Sequence, residues 1–169
     1  MLIYFLTDQT PDGVPRAFHR VPSVWRFHQV HHSVEKMEWL AGSRLHCVAV
    51  LLTRSISLFP MVFLGFSAEA INIYLPILAM QSVFIHCNLE FEFPRLQKLI
   101  TTPKYHHWHH TSDTRHLDRN FAISLPLLDI VFGTYYSPPG KWPKEYGLAG
   151  KHLEESYFYH LLLPFRKQQ

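Results

Sequence analysis

Residues 102–113 read TPKYHHWHHTSD, and residues 19–33 read HRVPSVWRFHQVHHS. Each holds a His-x-x-His-His pattern: His28, His31 and His32 in the earlier stretch, His106, His109 and His110 in the later one. Positions i, i+3 and i+4 share one face of an α-helix. Each stretch therefore predicts a helix presenting three imidazoles together. Packing six imidazoles against one another stacks donors and potential like charges, which destabilises a fold unless something bridges them. A metal site of neutral nitrogen ligands is the expected bridge. His107 follows His106 by one residue, is turned about 100° from it, and is expected outside the main ligand set.

Between the two clusters, residues 55–68 and 70–89 carry no charge. The second run is long enough to cross a bilayer at about 1.5 Å per residue. The first is long enough only if Leu45–Thr53 extends it past Arg54, whose long side chain can snorkel toward headgroups. Pro60 and Pro76 are tolerated best in membrane helices packed against neighbours. Arg16, Arg20, Arg26, Lys36 and Arg44 precede these runs, and Arg95, Lys98, Lys104, Arg115 and Arg119 follow them. That asymmetry places both flanks on the cytosolic side of a hairpin over 45–89, so the two histidine clusters can meet. The predicted fold class is all-α: an integral membrane helical protein with a transmembrane hairpin and a cytosolic histidine-rich helical cap. A buried hairpin in a soluble protein is the alternative reading.

The composition agrees. Of 169 residues, 17% are charged and 47% hydrophobic, with a net charge of +3. This excludes a charged disordered tail and weighs against nucleic acid as a partner. Two Cys build neither a disulfide scaffold nor a thiolate zinc ribbon. The 13 His equal all the acids together, which marks imidazole as the chemistry-bearing group. Pro22 is expected to open the first histidine helix. Phe121–Tyr136 is expected as an interfacial or core helix, and a short amphipathic helix is expected near 153–163.

All-imidazole sites suit Zn, Cu, Fe or Ni. The histidines outnumber the four ligands of one tetrahedral zinc, so two adjacent metals are expected. No Glu-x-x-His occurs, unlike in soluble carboxylate-rich di-iron bundles. A histidine-only dinuclear centre against a membrane points to non-haem iron activating O2. Asp113 and Asp118 are the nearest carboxylates, and Asp118 is expected to orient an imidazole from behind.

With these come EWLAGSRLH (38–46), FIHCN (84–88) and HLDRNFAISLPLLDIVFGTYY (116–136). Taken in order over about residues 16–165, the motifs resemble the fatty acid hydroxylase/sterol desaturase superfamily, most closely its bacterial sterol-desaturase-like branch. The resemblance implies a multi-pass membrane protein, in a bacterial inner membrane, with its metal site on the cytosolic face. It implies hydroxylation or desaturation of a sterol or fatty acyl C–H. The expected cofactors are two iron ions, which zinc can replace on purification, with O2 as co-substrate. The expected partners are a lipid substrate and an electron-donor protein or reductase.

Residue by residue, it assigns metal ligation to His19, His28, His31, His32, His86, His106, His109 and His110. It gives supporting or occasional ligand roles to His46, His107, His116, Asp118 and Asn120. Trp39, Phe59 and Phe63 are candidate walls of a lipid groove, with ordinary helix packing as the alternative. The implied division is a short segment outside the family pattern at 1–15, a histidine-box metal-binding domain at 16–136 containing hairpin 45–89, and a cytosolic cap at 137–169. The first histidine box should begin with His at position 14 or 15, where Val14 and Pro15 stand. The chain is therefore expected to be N-terminally truncated or altered relative to the family. The alternative function is a non-catalytic metal-binding membrane protein, either a degenerate homologue or a zinc-handling protein.

Overall fold

A computed structural model describes residues 14–153 and 156–166. Most of the expected short N-terminal segment (residues 1–13) lies outside the described residues. Those described form helices, turns and irregular segments with no strand; two isolated bridges, Thr111 with Tyr146 and Leu148 with Lys151, are the only β-type pairings among them.

The chain enters through α1 (Val14–Arg20) and turns at Val21 into α2 (Pro22–His32). Pro22 occupies the first turn of α2, where a missing N–H costs nothing. Val21 before it is extended (φ −97°, ψ 108°), as the residue preceding proline prefers. Phe18 and Ala49 bury together with Val24 and Phe27 against them, tying α1 and α2 to the start of the next helix. A short 3-10 turn, Ala41–Ser43, then leads to α3 (Cys47–Phe63).

The side chain of His46 caps α3 by accepting from the Val48 N–H at 3.1 Å. After a turn in which Gly65 takes φ 75°, Ser67 caps α4 (Ala68–His86) by accepting from Ala70 N–H at 3.3 Å. α4 has 19 residues and is long and apolar enough to cross a membrane. α3, at 17 residues, is apolar but shorter. Both turn much of their apolar surface outward: Phe59, Phe63, Ile73 and Met80 are each at least 65% exposed, while Met61 and Tyr74 are buried. Trp39, Phe59 and Phe63 are among the exposed side chains and do not line the cleft between the helices. That corrects the expected groove walls: their apolar surface faces outward.

Beyond α4 lies α5 (Pro103–His109), every residue of which is buried. It packs against α4. The expected helix over 121–136 shrinks to α6 (Leu127–Val131). Pro126 stands at its N-cap, and Gly133 takes φ 69° two residues past its end. Asp129 sits within α6 with its carboxylate turned inward, only 2% exposed. The tail returns over α5 and closes with α7 (Tyr157–Leu162), close to the amphipathic helix expected there.

Candidate metal centre

α2, α4, α5 and the end of α1 each bring imidazoles to one place. His19, His28, His32 and His109 offer nitrogens all within 4.8 Å of one another, and so do His31, His86, His106 and His110. The two sets adjoin: His32 of the first stacks on His110 of the second, with ring centroids 4.5 Å apart and planes at 24°. Each His-x-x-His-His divides in the same way. The i and i+4 residues go to one set and the i+3 residue goes to the other. On a helix, i+4 lies about 40° from i, whereas i+3 lies about 60° away on the other side. A single face can thus feed two neighbouring sites.

The nitrogen spacing fits ligation. Nε2 of His32 lies 3.0 Å from that of His19 and 3.2 Å from that of His28. Nε2 of His86 lies 3.4 Å from that of His31 and 3.0 Å from that of His106, which is 3.2 Å from that of His110. A metal–imidazole bond of about 2.0–2.1 Å separates neighbouring ligand nitrogens by about 2.9 Å in an octahedron and about 3.4 Å in a tetrahedron.

The outer ring nitrogens settle which lone pairs point inward. His86 Nδ1–H donates to the Ser82 carbonyl at 2.6 Å, His109 Nδ1–H to the Arg119 carbonyl at 2.9 Å, and His19 Nδ1–H to Asp118 at 3.1 Å. Each donation leaves Nε2 bare and turned toward other nitrogens, an arrangement a cation relieves. Burial, reinforced by neighbouring imidazoles, holds His28, His31, His32, His106 and His110 well below the ordinary histidine range. It takes His109 down to about 3. Neutral imidazole is the ligating form.

The supporting residues fall into two groups. Asp118 and Asn120 take left-handed backbone, φ 56° and 57°, a conformation that Asp and Asn tolerate best. Asp118 thereby reaches His19, whose ring holds the Asp118 carboxyl below its usual range. Asn120 is fully buried and staples the loop: it donates to the Tyr105 and Tyr136 carbonyls and accepts from Tyr136 N–H, each at 2.7 Å.

His46, His107 and His116 are not brought to the cluster. His46 caps α3 and meets the Leu161 carbonyl at 3.1 Å. His107 lies between the Tyr146 hydroxyl and the Cys87 carbonyl, at 2.9 and 3.1 Å. His116 stacks on Tyr136 with centroids 4.3 Å apart.

Three supports are not legible as such in the sequence. Asp129 accepts from the Tyr105 and Thr134 hydroxyls and from Ala122 N–H, with Arg16 3.9 Å away. It anchors α5 one residue before His106. Tyr146 braces His107 from the tail. Gly42 lets the 3-10 turn approach α4, since a Cβ there would stand 2.8 Å from Ser82 Oγ and 3.0 Å from His86 Nδ1. An isolated Asp in an apolar run, or a Gly with no turn signature, gives no sequence cue to such partners.

Two openings reach the centre. A cavity of about 330 Å³ is lined by His19, His32 and His109, with Trp25, Asp118 and Lys151. A narrower, more apolar cleft of about 140 Å³ runs between α3 and α4 to His28, His31, His86 and His106.

Comparison with known proteins places the chain in a family. The ornithine lipid hydroxylase OlsE of Rhizobium tropici is 27% identical over 153 residues, covering 90% of this chain and 46% of that protein. Human alkylglycerol monooxygenase is 29% identical over 121 residues, 71% of this chain and 26% of its own. A very-long-chain aldehyde decarbonylase of Oryza sativa is 28% identical over 130 residues, 70% of this chain and 20% of its own. The chain thus spans less than half the length of these relatives. No solved structure matches it. The fatty acid hydroxylase profile matches residues 13–134, which takes in all eight clustered histidines, and the chain belongs to the fatty acid hydroxylase family.

Proposed function

We propose that this chain is the histidine-box core of a membrane-bound lipid oxygenase that hydroxylates or desaturates a C–H of a fatty acyl or sterol substrate. The observation that carries the reading is the pair of adjoining four-nitrogen sets at ligand spacing. His19, His28, His32 and His109 would hold one iron, and His31, His86, His106 and His110 the other. When bound, such a pair supplies O2 reduction and attack on an unactivated C–H, with electrons from a reductase or cytochrome partner. The chain's own residues hold the nitrogens neutral and bare, fix their orientation through Asp118, Ser82 and Arg119, and bound a mostly apolar cleft for the acyl or sterol body. In this reading α3 and α4 form a two-span hairpin, and the centre faces the cytosol beneath it.

A second reading, a non-catalytic metal-binding membrane protein, is favoured by Val14 and Pro15 standing where the family's first box begins. Against it, each set reaches four nitrogens without a ligand from either position. The deciding experiment is metal analysis and O2 uptake on the detergent-purified chain, reconstituted with iron, a chemical reductant and lipid. Two irons per chain with lipid-dependent O2 uptake is the expected result. Zinc alone with no O2 uptake overturns the oxygenase reading in favour of the second.

A further inference from the structure

The cleft between α3 and α4 carries one feature that neither metal binding nor hydrocarbon packing explains. Arg54 lines it, half-buried, beside Val50, Leu78 and Ile85. No Asp or Glu lines the cleft. Arg54 makes no ion pair or hydrogen bond among the described residues. Helical side chains lean toward the N-terminus of their helix. That of Arg54 therefore leans toward the end of α3 at Leu45 and His46, the same end of the cleft that His86 and His106 close. The sequence allows Arg54 to snorkel toward headgroups, but it lines the cleft instead; a guanidinium in apolar surroundings without a partner is costly to keep, and in a helix read as membrane-spanning it points to a ligand. Its planar fork matches carboxylate and phosphate oxygens.

We propose that Arg54 receives the acidic headgroup of the lipid substrate, a carboxylate or a phosphate, at the cleft leading to the histidine centre. The inference rests on the reading above that this cleft admits a lipid. It adds the class of lipid: an anionic amphiphile rather than a neutral alcohol or sterol.

The test is direct binding to the detergent-purified full chain, with palmitate, hexadecyl phosphate, hexadecanol and inorganic phosphate as probes. The two acids are expected to bind at least about tenfold tighter than the alcohol, since a hydrogen bond to a charged group contributes about 1.5–3 kcal/mol. Arg54→Gln should erase that preference, bringing both acids down to about the affinity of hexadecanol. Arg54→Lys should keep part of it, as a point charge without the fork. Arg54→Met, of similar bulk, serves if the Gln variant does not fold.

Three results would overturn the proposal. These are equal binding of acid and alcohol by the unsubstituted chain, a preference that survives in Arg54→Gln, and inorganic phosphate competing as well as hexadecyl phosphate, which would indicate a free-anion site. Binding is read without turnover, so the two readings fail separately. Two irons with no acid preference removes only Arg54's role. Acid preference without iron removes only the oxygenase.

Discussion

The two histidine sets are built from the same sequence pattern yet held in different ways. In the set of His19, His28, His32 and His109, two rings are held from behind by the 116–120 loop, through the Asp118 carboxylate and the Arg119 carbonyl. Two of its four members are only half-buried, and a cavity with polar residues reaches it. In the set of His31, His86, His106 and His110, all four members are buried. His86 Nδ1 donates to the Ser82 carbonyl, while the outer nitrogens of His106 and His110 are buried without a hydrogen bond. Outer hydrogen bonds from one loop hold two rings of the first set, whereas the second set leans more on packing. Loss of an outer partner should therefore weaken the first set gradually, whereas loss of a ring should collapse the second.

The largest expected effect is His110→Ala. This ring belongs to the packed set and stacks on His32 of the other, so its removal opens a void shared by both. Bound iron should fall from roughly two per chain to below roughly one, because metal binding and local folding are coupled; elemental analysis of the purified protein measures this. If the remaining set keeps full occupancy, the sets are independent and the stack is incidental.

Asp129→Ala follows. It leaves the Tyr105 and Thr134 hydroxyls and Ala122 N–H without their acceptor, and Arg16 without its nearest carboxylate. Breaking a buried charged network of this kind costs about 3–5 kcal/mol, read as a lowered thermal unfolding midpoint. Both sets should weaken together, since Asp129 supports α5, which feeds both.

His19→Ala should separate them. Only the hydrogen-bonded set loses a nitrogen, so iron content should fall by roughly half while spectroscopic signals of the packed site remain. The smallest effect is Asp118→Asn, which keeps the shape and removes the charge behind His19. Outer partners of ligating histidines typically change metal affinity by about 10–100-fold. Metal titration should show that loss at one site and none at the other. An equal loss at both would erase the distinction between loop-held and packed sets.

Much of this was legible along the chain. The i, i+3, i+4 spacing places each imidazole trio on one helical face, and Pro22 opens the first of the two helices that carry them. The uncharged run at 70–89 contains most of a helix of spanning length. These features are local: the helix period and the missing proline N–H act within a few residues.

The tertiary structure alone decided how each trio divides between the two sets, that Asp129 is a buried hub rather than a break in an apolar helix, and that Arg54 faces the cleft while Phe59 and Phe63 face away. These depend on how helices distant in sequence are packed together, which sets the partner each side chain meets. A helix's own period fixes the angle between two imidazoles, but only long-range packing fixes what stands opposite them.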